Sequence, residues 1–385
     1  MGIKKRISLI ILSLLLVSIF FNLCKNKNEE TKISDENGTE VLLNQSEPNK
    51  KHKRDSFMLE RKFSVDTQEV GIQKIGLSDM LGFEINSLEE IYILNRTDPQ
   101  SNLIYKFDRN GNFISSFGRF GQGPGEVQNP YYISMDNEEN FLISDIARNM
   151  IVVFDREGNF KKNIILKGGG ILATSGPDGN LLVLEVTAIS ETGQQLYSLK
   201  LVDKNLNDLK IIDKYSWEWP KAKEFRARPP LFCWTANSDY IYVAKEDSGY
   251  EICVYDSKGK LSRKIRKEYQ KIPVSEEYKA KLLESFPESL RAFAIFPKYH
   301  PPFQSLVAGE NGILLVYTFE KGKNPDEFIA DIFNQSGLLI DRMSLNIFAR
   351  EGFLWARIKS NKFYYIKEKE GGYKELVVCD IRRNQ

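Results

Sequence analysis

An all-β, six-bladed β-propeller with four-stranded blades is the fold this sequence predicts, and three observations carry that expectation. First, an apolar residue followed by Asp or Asn recurs at Phe107-Asp108, Phe154-Asp155, Val202-Asp203, Tyr255-Asp256, Phe333-Asn334 and Cys379-Asp380. The intervals are 47, 48, 53, 78 and 46 residues, near-constant but for one, and units of about 45 residues are the period of propeller blades. Second, four-residue turns follow most of these anchors, from Asp108 to Gly111, Asp155 to Gly158, Asp256 to Gly259 and Asn334 to Gly337. Asp or Asn first and Gly fourth suits a type I turn whose glycine takes positive φ. Third, each interval divides into short apolar runs bounded by Asp, Asn and Gly, as at 131–135, 141–144, 150–154 and 160–166. Such runs read as successive antiparallel strands.

Taken in order, the chain opens with Lys4, Lys5 and Arg6, an apolar run from Ile7 to Phe21 broken only by Ser, and then Cys24. A basic start and an apolar segment of this length form a secretory signal; an uncleaved anchor ordinarily needs about 20 apolar residues. The four residues ending at Cys24 resemble a bacterial lipobox, although Leu23 is larger than the residue usual there. Residues 1–23 are therefore expected to be a lipoprotein-type signal peptide, with Cys24 the modified residue. That address is the bacterial cell envelope, outside the inner membrane.

Without residues 1–23 the charge is 51 basic against 52 acidic groups, so nothing global argues for nucleic acid. Residues 24–62 are rich in Lys, Asn, Glu, Ser and Thr, and Val41, Leu42 and Leu43 are almost their only apolar cluster. A flexible polar tether is expected there, and the basic cluster from Lys50 to Arg54 reads as solvated.

The propeller is expected over 63–385. The last anchor lies six residues from the C-terminus, so blade six lacks a fourth strand. A strand within 63–75, which has no place in blade one, is expected to supply it and close the ring. The long interval holds an insertion between blades four and five, 267–302. Ser275 with Glu276 and Glu277 marks a helix start, and Tyr278, Leu282 and Phe286 share one stripe that would lie on the propeller. Cys233, Cys253 and Cys379 fall on different or non-neighbouring strands, so buried free thiols are expected in place of a disulfide.

Residues 117–160 resemble an NHL-type repeat. The likeness rests on Gly123, Pro124, Gly125 and Glu126, then Pro130, Asp136, Asp145, Phe154-Asp155 and Gly158. Taken whole, the chain resembles the NHL/TolB-like six-bladed propeller lipoproteins of bacteria. The resemblance implies the fold strongly and the activity weakly, because this scaffold carries binding modules and enzymes alike.

Candidate chemistry is sparse. The glycine loop 121–126 is flanked by strands and not followed by a helix, which a phosphate cradle requires, so it reads as a connector between blades. Asp136, Asp145 and Asp155 read as turn residues before metal ligands. With His52 in the tether and His300 alone, no His-Glu-x-x-His, Cys-x-x-Cys or three-His set can be assembled. No metal or other cofactor is predicted, although a channel-bound calcium stays open. Residues out of keeping with a repeat core are the ligand-binding candidates: Arg226, Arg228, Trp234, Arg291, Tyr299, His300, Trp355 and Arg357. Arg and Trp dominate binding hot spots. Together they are expected to form a basic, aromatic pocket, partly walled by the insertion, that takes a protein, peptide or glycan ligand. The alternatives are a propeller hydrolase or lactonase with a channel-bound divalent metal, and a structural part of an envelope assembly.

Overall fold

The computed structural model describes residues 31–49, 57–96, 100–166, 169–189, 194–218, 224–228, 230–350 and 353–383. Six antiparallel sheets form the six blades. Blade one runs through Gly82–Ile85, Ile91–Leu94, Ile104–Phe107 and Phe113–Phe117, and blade two through Pro130–Met135, Phe141–Asp145, Met150–Phe154 and Phe160–Ile165. Blade three holds Gly169–Ser175, Leu181–Ile189, Gln194–Val202 and Asp208–Glu218; blade four holds Phe232–Ala236, Tyr240–Lys245, Glu251–Asp256 and Leu261–Lys267. Blade five comprises Ser305–Ala308, Leu314–Lys321, Phe328–Phe333 and Leu339–Leu345. Blade six takes Ala356–Lys359, Lys362–Glu368 and Lys374–Arg383 from the C-terminal end, and its fourth strand is Phe57–Asp66. That strand pairs antiparallel with Lys374–Arg383 from Phe57↔Arg383 to Asp66↔Glu375, so the ring is closed by hydrogen bonds between its two ends.

The burial of each strand follows its place in the blade. Second strands are enclosed by neighbouring blades on both faces, and Ile91–Leu94 and Phe141–Asp145 are buried throughout. The fourth strand of blade two faces solvent, and Phe160–Ile165 buries only Ile164. The core is accordingly divided into six apolar clusters, each shared by two adjacent blades. Burial of such surface stabilises by about 25 cal/mol per Å², so every blade depends on both neighbours.

The anchors lie in the third strands. The Asp108 carboxylate accepts from the backbone N–H of Asn110 and Asn112, both at 2.8 Å. Asp203, Asp256 and Asn334 accept in the same pattern. Gly158 closes one such turn at φ +90°, with Phe117 against its Cα. The glycine loop joins blades one and two. Its Glu126 carboxylate accepts from Gly123 N–H at 2.9 Å, and Arg148 bonds the carbonyls of Gln122 and Glu126.

The expected tether is corrected at both ends. The closing strand begins at Phe57, so the propeller starts earlier than residue 63. Upstream, Lys32–Glu36 and Thr39–Asn44 form a hairpin whose second strand adds in parallel to Leu261–Lys267 on the outer edge of blade four. The apolar trio explains why a polar segment docks: Val41 and Leu42 are buried at the blade edge. Glu36 adds an ion pair to Arg266 at 2.5 Å. Asn44, 1 % exposed, donates to Gly337 O and Arg266 O and accepts from Leu339 N–H, riveting the hairpin to blades four and five. Cys24 and the basic cluster at 50–54 lie outside the described residues. No helix among the described residues is long and apolar enough to cross a membrane.

Between blades four and five stand the helix Glu276–Glu284 and a short helical turn, Glu288–Arg291. Ser275 caps the first, its side chain accepting from Tyr278 N–H at 3.1 Å.

Candidate functional site

The first strands of all six blades line a central channel of about 850 Å³, within the range of about 300–1,000 Å³ typical of ligand pockets. Its most organised part spans blades six, one and two. Arg357 donates from Nε to Glu84 Oε1 at 3.1 Å and from Nη2 to the same oxygen at 2.5 Å, and Nη2 reaches the Tyr132 hydroxyl at 3.5 Å. Nη1 is occupied by the Ala356 carbonyl at 2.9 Å. Burial works against the charge on Arg357, but the facing Glu84 carboxylate outweighs it and holds the guanidinium pKa above its ordinary value. Burial raises the Tyr132 phenol in turn. Across the channel, blade four contributes Trp234, whose Nε1 is buried with no hydrogen-bond partner among the described residues.

The turns after the first strands form one mouth, and that mouth is acidic. Asp136, Glu139, Asp178, Asp239 and Glu310 line it against Lys359, which pairs with Glu310 at 3.3 Å. Asp136 is also tied into its own turn, accepting from Glu138 N–H and Asn140 N–H at 2.9 Å. Asp145 likewise serves structure, bonding Gln128 N–H at 2.7 Å and Arg148 Nε at 2.8 Å. Among the described residues no group of three or more His, Cys, Asp or Glu side chains could hold a metal.

The eight candidate residues are not brought into one pocket. Trp234 and Arg357 line the channel. Trp355 sits 9 % exposed in the core between blades six and one, donating Nε1–H to Leu81 O and packing on Phe348 at 4.9 Å. Arg291 is exposed on the insertion and bonds Phe286 O at 3.0 Å. Arg226 and Arg228 both pair with Glu246, at 2.7 and 3.0 Å. Burial works against that carboxylate, but the two arginines and Leu231 N–H outweigh it and lower its pKa.

Arg228, Tyr299 and His300 do meet, in a groove of about 550 Å³ between the second-to-third-strand turn of blade four and the insertion. The six-residue strand Tyr240–Lys245 separates this end of the blade from the acidic mouth, about 20 Å at 3.3 Å per residue. His300 is stacked on Phe319 at 4.4 Å and lies edge-on to Tyr278 at 4.6 Å. Burial, with Arg228 and Lys321 nearby, pushes its pKa down to about 4, so the ring is neutral at pH 7.

The basic pocket expected from the sequence is thus divided: Arg226, Arg228 and Arg357 are matched by Glu246 and Glu84, Arg291 stands apart on the insertion, and the channel mouth carries the opposite sign. Apart from Asp136, read from the sequence as a turn residue, the mouth carboxylates gave no sign of a site because they occupy ordinary turn positions. Their only signal is that the turns after successive first strands share a sign.

Residues 67–221 match the model of the DUF5128 family, described as a 6-bladed beta-propeller. No curated protein matches the chain. Among solved structures, a Bacteroides fragilis protein described as exported superposes with a TM-score of 0.52 at 13 % identity, over 90 % of this chain and 100 % of that one. A member of the duf4221 family from Bacteroides vulgatus superposes with a TM-score of 0.52 at 11 % identity, over 86 % and 100 %. At these identities the likeness is one of fold: a six-bladed propeller.

Proposed function

We propose that this chain is an exported protein of the bacterial envelope, anchored by lipid at Cys24, whose propeller binds a peptide or glycan in its central channel. The observation that supports this reading is the make-up of the channel wall. A guanidinium held in place by Glu84 faces a cavity of ligand size, and the indole N–H of Trp234 is buried there without an acceptor among the described residues. An unpaired buried donor costs about 1–3 kcal/mol, and an incoming carbonyl or hydroxyl oxygen would satisfy it. Fixed polar groups beside an aromatic ring are the means by which such pockets orient polar ligands. The signal-like N-terminus supports export, as does the likeness to a protein described as exported.

The test is to probe peptide and glycan arrays with the full mature chain beside an obstructed variant, Thr174→Trp, which narrows the channel from blade three beside Tyr132 and Arg357. Binding that the obstruction weakens by about tenfold or more supports the reading; binding indifferent to the obstruction refutes it. Elemental analysis of the same protein separates the metal-dependent hydrolase: a stoichiometric, tightly held divalent ion would overturn the binding-module reading.

A further inference from the structure

The groove at the opposite end of blade four has chemistry of its own. Tyr299 lies on a short backbone ladder, in which Pro273 bridges Tyr299, His300 N–H donates to Ile272 O at 2.8 Å and Val274 N–H donates to Lys298 O at 3.1 Å. Pro297, Pro301 and Pro302 flank it, and their fixed φ stiffens the loop. The ladder sets two ammonium groups beside one exposed ring: Lys298 Nζ is 5.2 Å and Lys271 Nζ 5.8 Å from the Tyr299 centroid. Neither lysine has a carboxylate partner among the described residues, whereas Arg228 on the inner wall is matched by Glu246. His300 adds a neutral, stacked wall to the same groove. Two like charges are thus gathered at an aromatic surface with no ion-pair partner among the described residues; of the groove's carboxylates, Glu246 is taken by the arginines and Asp247 lies on the opposite, blade-four wall.

We propose that this groove is a second binding site, independent of the channel, for an acidic sugar of the uronate type. Lysine serves carboxylates as a compact positive charge, and an aromatic ring offers a flat apolar surface beside it. A uronate unit supplies both complements, a carboxylate for Lys271 and Lys298 and a C–H face for Tyr299. An acidic peptide or a free phosphate carries the charge without the face. The pocket is of small-ligand size, so it admits a short stretch of such a chain.

The experiment is calorimetric titration of the full mature chain at low salt with an oligogalacturonate, a neutral oligosaccharide of equal length, polyglutamate and inorganic phosphate. The groove is expected to bind the uronate and not the neutral sugar. Lys271→Gln combined with Lys298→Gln, and separately Tyr299→Ala, should each weaken binding by about tenfold. Tyr299→Phe, which keeps the ring, should stay within about twofold, and thermal unfolding of each variant checks that the fold is retained. The inference is overturned if the uronate does not bind, or if polyglutamate or phosphate binds as tightly and Tyr299→Ala is without effect. It is equally overturned if Thr174→Trp, the channel obstruction, abolishes uronate binding, an outcome that would leave the channel reading intact.

Discussion

Replacing Asp331 by Ala should unseat the joint between blades four and five. Its carboxylate is wholly buried and accepts from the Tyr250 hydroxyl at 2.6 Å and Arg342 Nε at 2.8 Å, and pairs with Lys267 Nζ at 3.0 Å. Lys267 is itself only 3 % exposed at the side chain. Removing the carboxylate leaves that ammonium buried with the Tyr250 ring, 5.1 Å away, as its nearest compensation. Breaking a buried pair from one side costs about 3–5 kcal/mol, whereas the remaining cation–π contact offsets about 1 kcal/mol of that. The net loss is therefore about 2–4 kcal/mol. At about 2 °C per kcal/mol for a chain of this size, thermal unfolding followed by far-UV circular dichroism should show a fall of about 4–8 °C. Lys267→Met in the Asp331→Ala background removes the stranded charge and should recover roughly half of the loss. A single variant that melts within about 1 °C of the parent, or a double variant no better than the single, would refute the account.

Three further outcomes are expected. Asn44→Ala removes three hydrogen bonds at a buried seam and should cost about 2–4 kcal/mol, read by urea denaturation. Gly158→Ala places a Cβ 2.6 Å from the Phe117 ring at φ +90° and should cost about 2–4 kcal/mol, while Gly38→Ala, at φ +80° with nothing within 4 Å, should cost only about 1–2 kcal/mol; melting temperatures compare them. His300 is neutral in the fold, with its pKa pushed down from 6.5 to about 4. The unfolded chain then binds more protons between those values, so stability is full above about pH 6.5 and falls as the pH drops toward 4. The loss should be about 2 kcal/mol after allowance for partial exposure, and His300→Gln should flatten the slope of melting temperature against pH in that window.

The blades were legible because each repeats a local chemical necessity. An Asp or Asn at the end of a third strand accepts two backbone N–H groups, and that need recurs at Asp108, Asp203, Asp256 and Asn334 whatever surrounds it. The N-terminal hairpin was not legible, because its hold is non-local. Val41 and Leu42 are too few to announce a folded element, and Glu36 and Arg266, which pair, lie 230 positions apart. The site failed to be legible for a related reason. Arg357 and Arg228 were conspicuous as charges, but Glu84 and Glu246, which neutralise them, are indistinguishable in sequence from solvated acids. Lys271 and Lys298 gave no signal at all, since only the bridge between Pro273 and Tyr299 brings them to one ring.

The hairpin also changes how the wheel would stand. A flexible segment from residue 24 to 62 could reach roughly 130 Å at full extension, but with Lys32–Asn44 fastened to the rim of blade four only residues 25–31 separate Cys24 from that rim, a span of at most about 25 Å. With Cys24 as the lipid anchor proposed above, blade four would be the part of the wheel held nearest the bilayer. The acidic mouth and the insertion groove lie at opposite ends of that blade, so a short leash at the rim would hold both close to the membrane without tethering either directly.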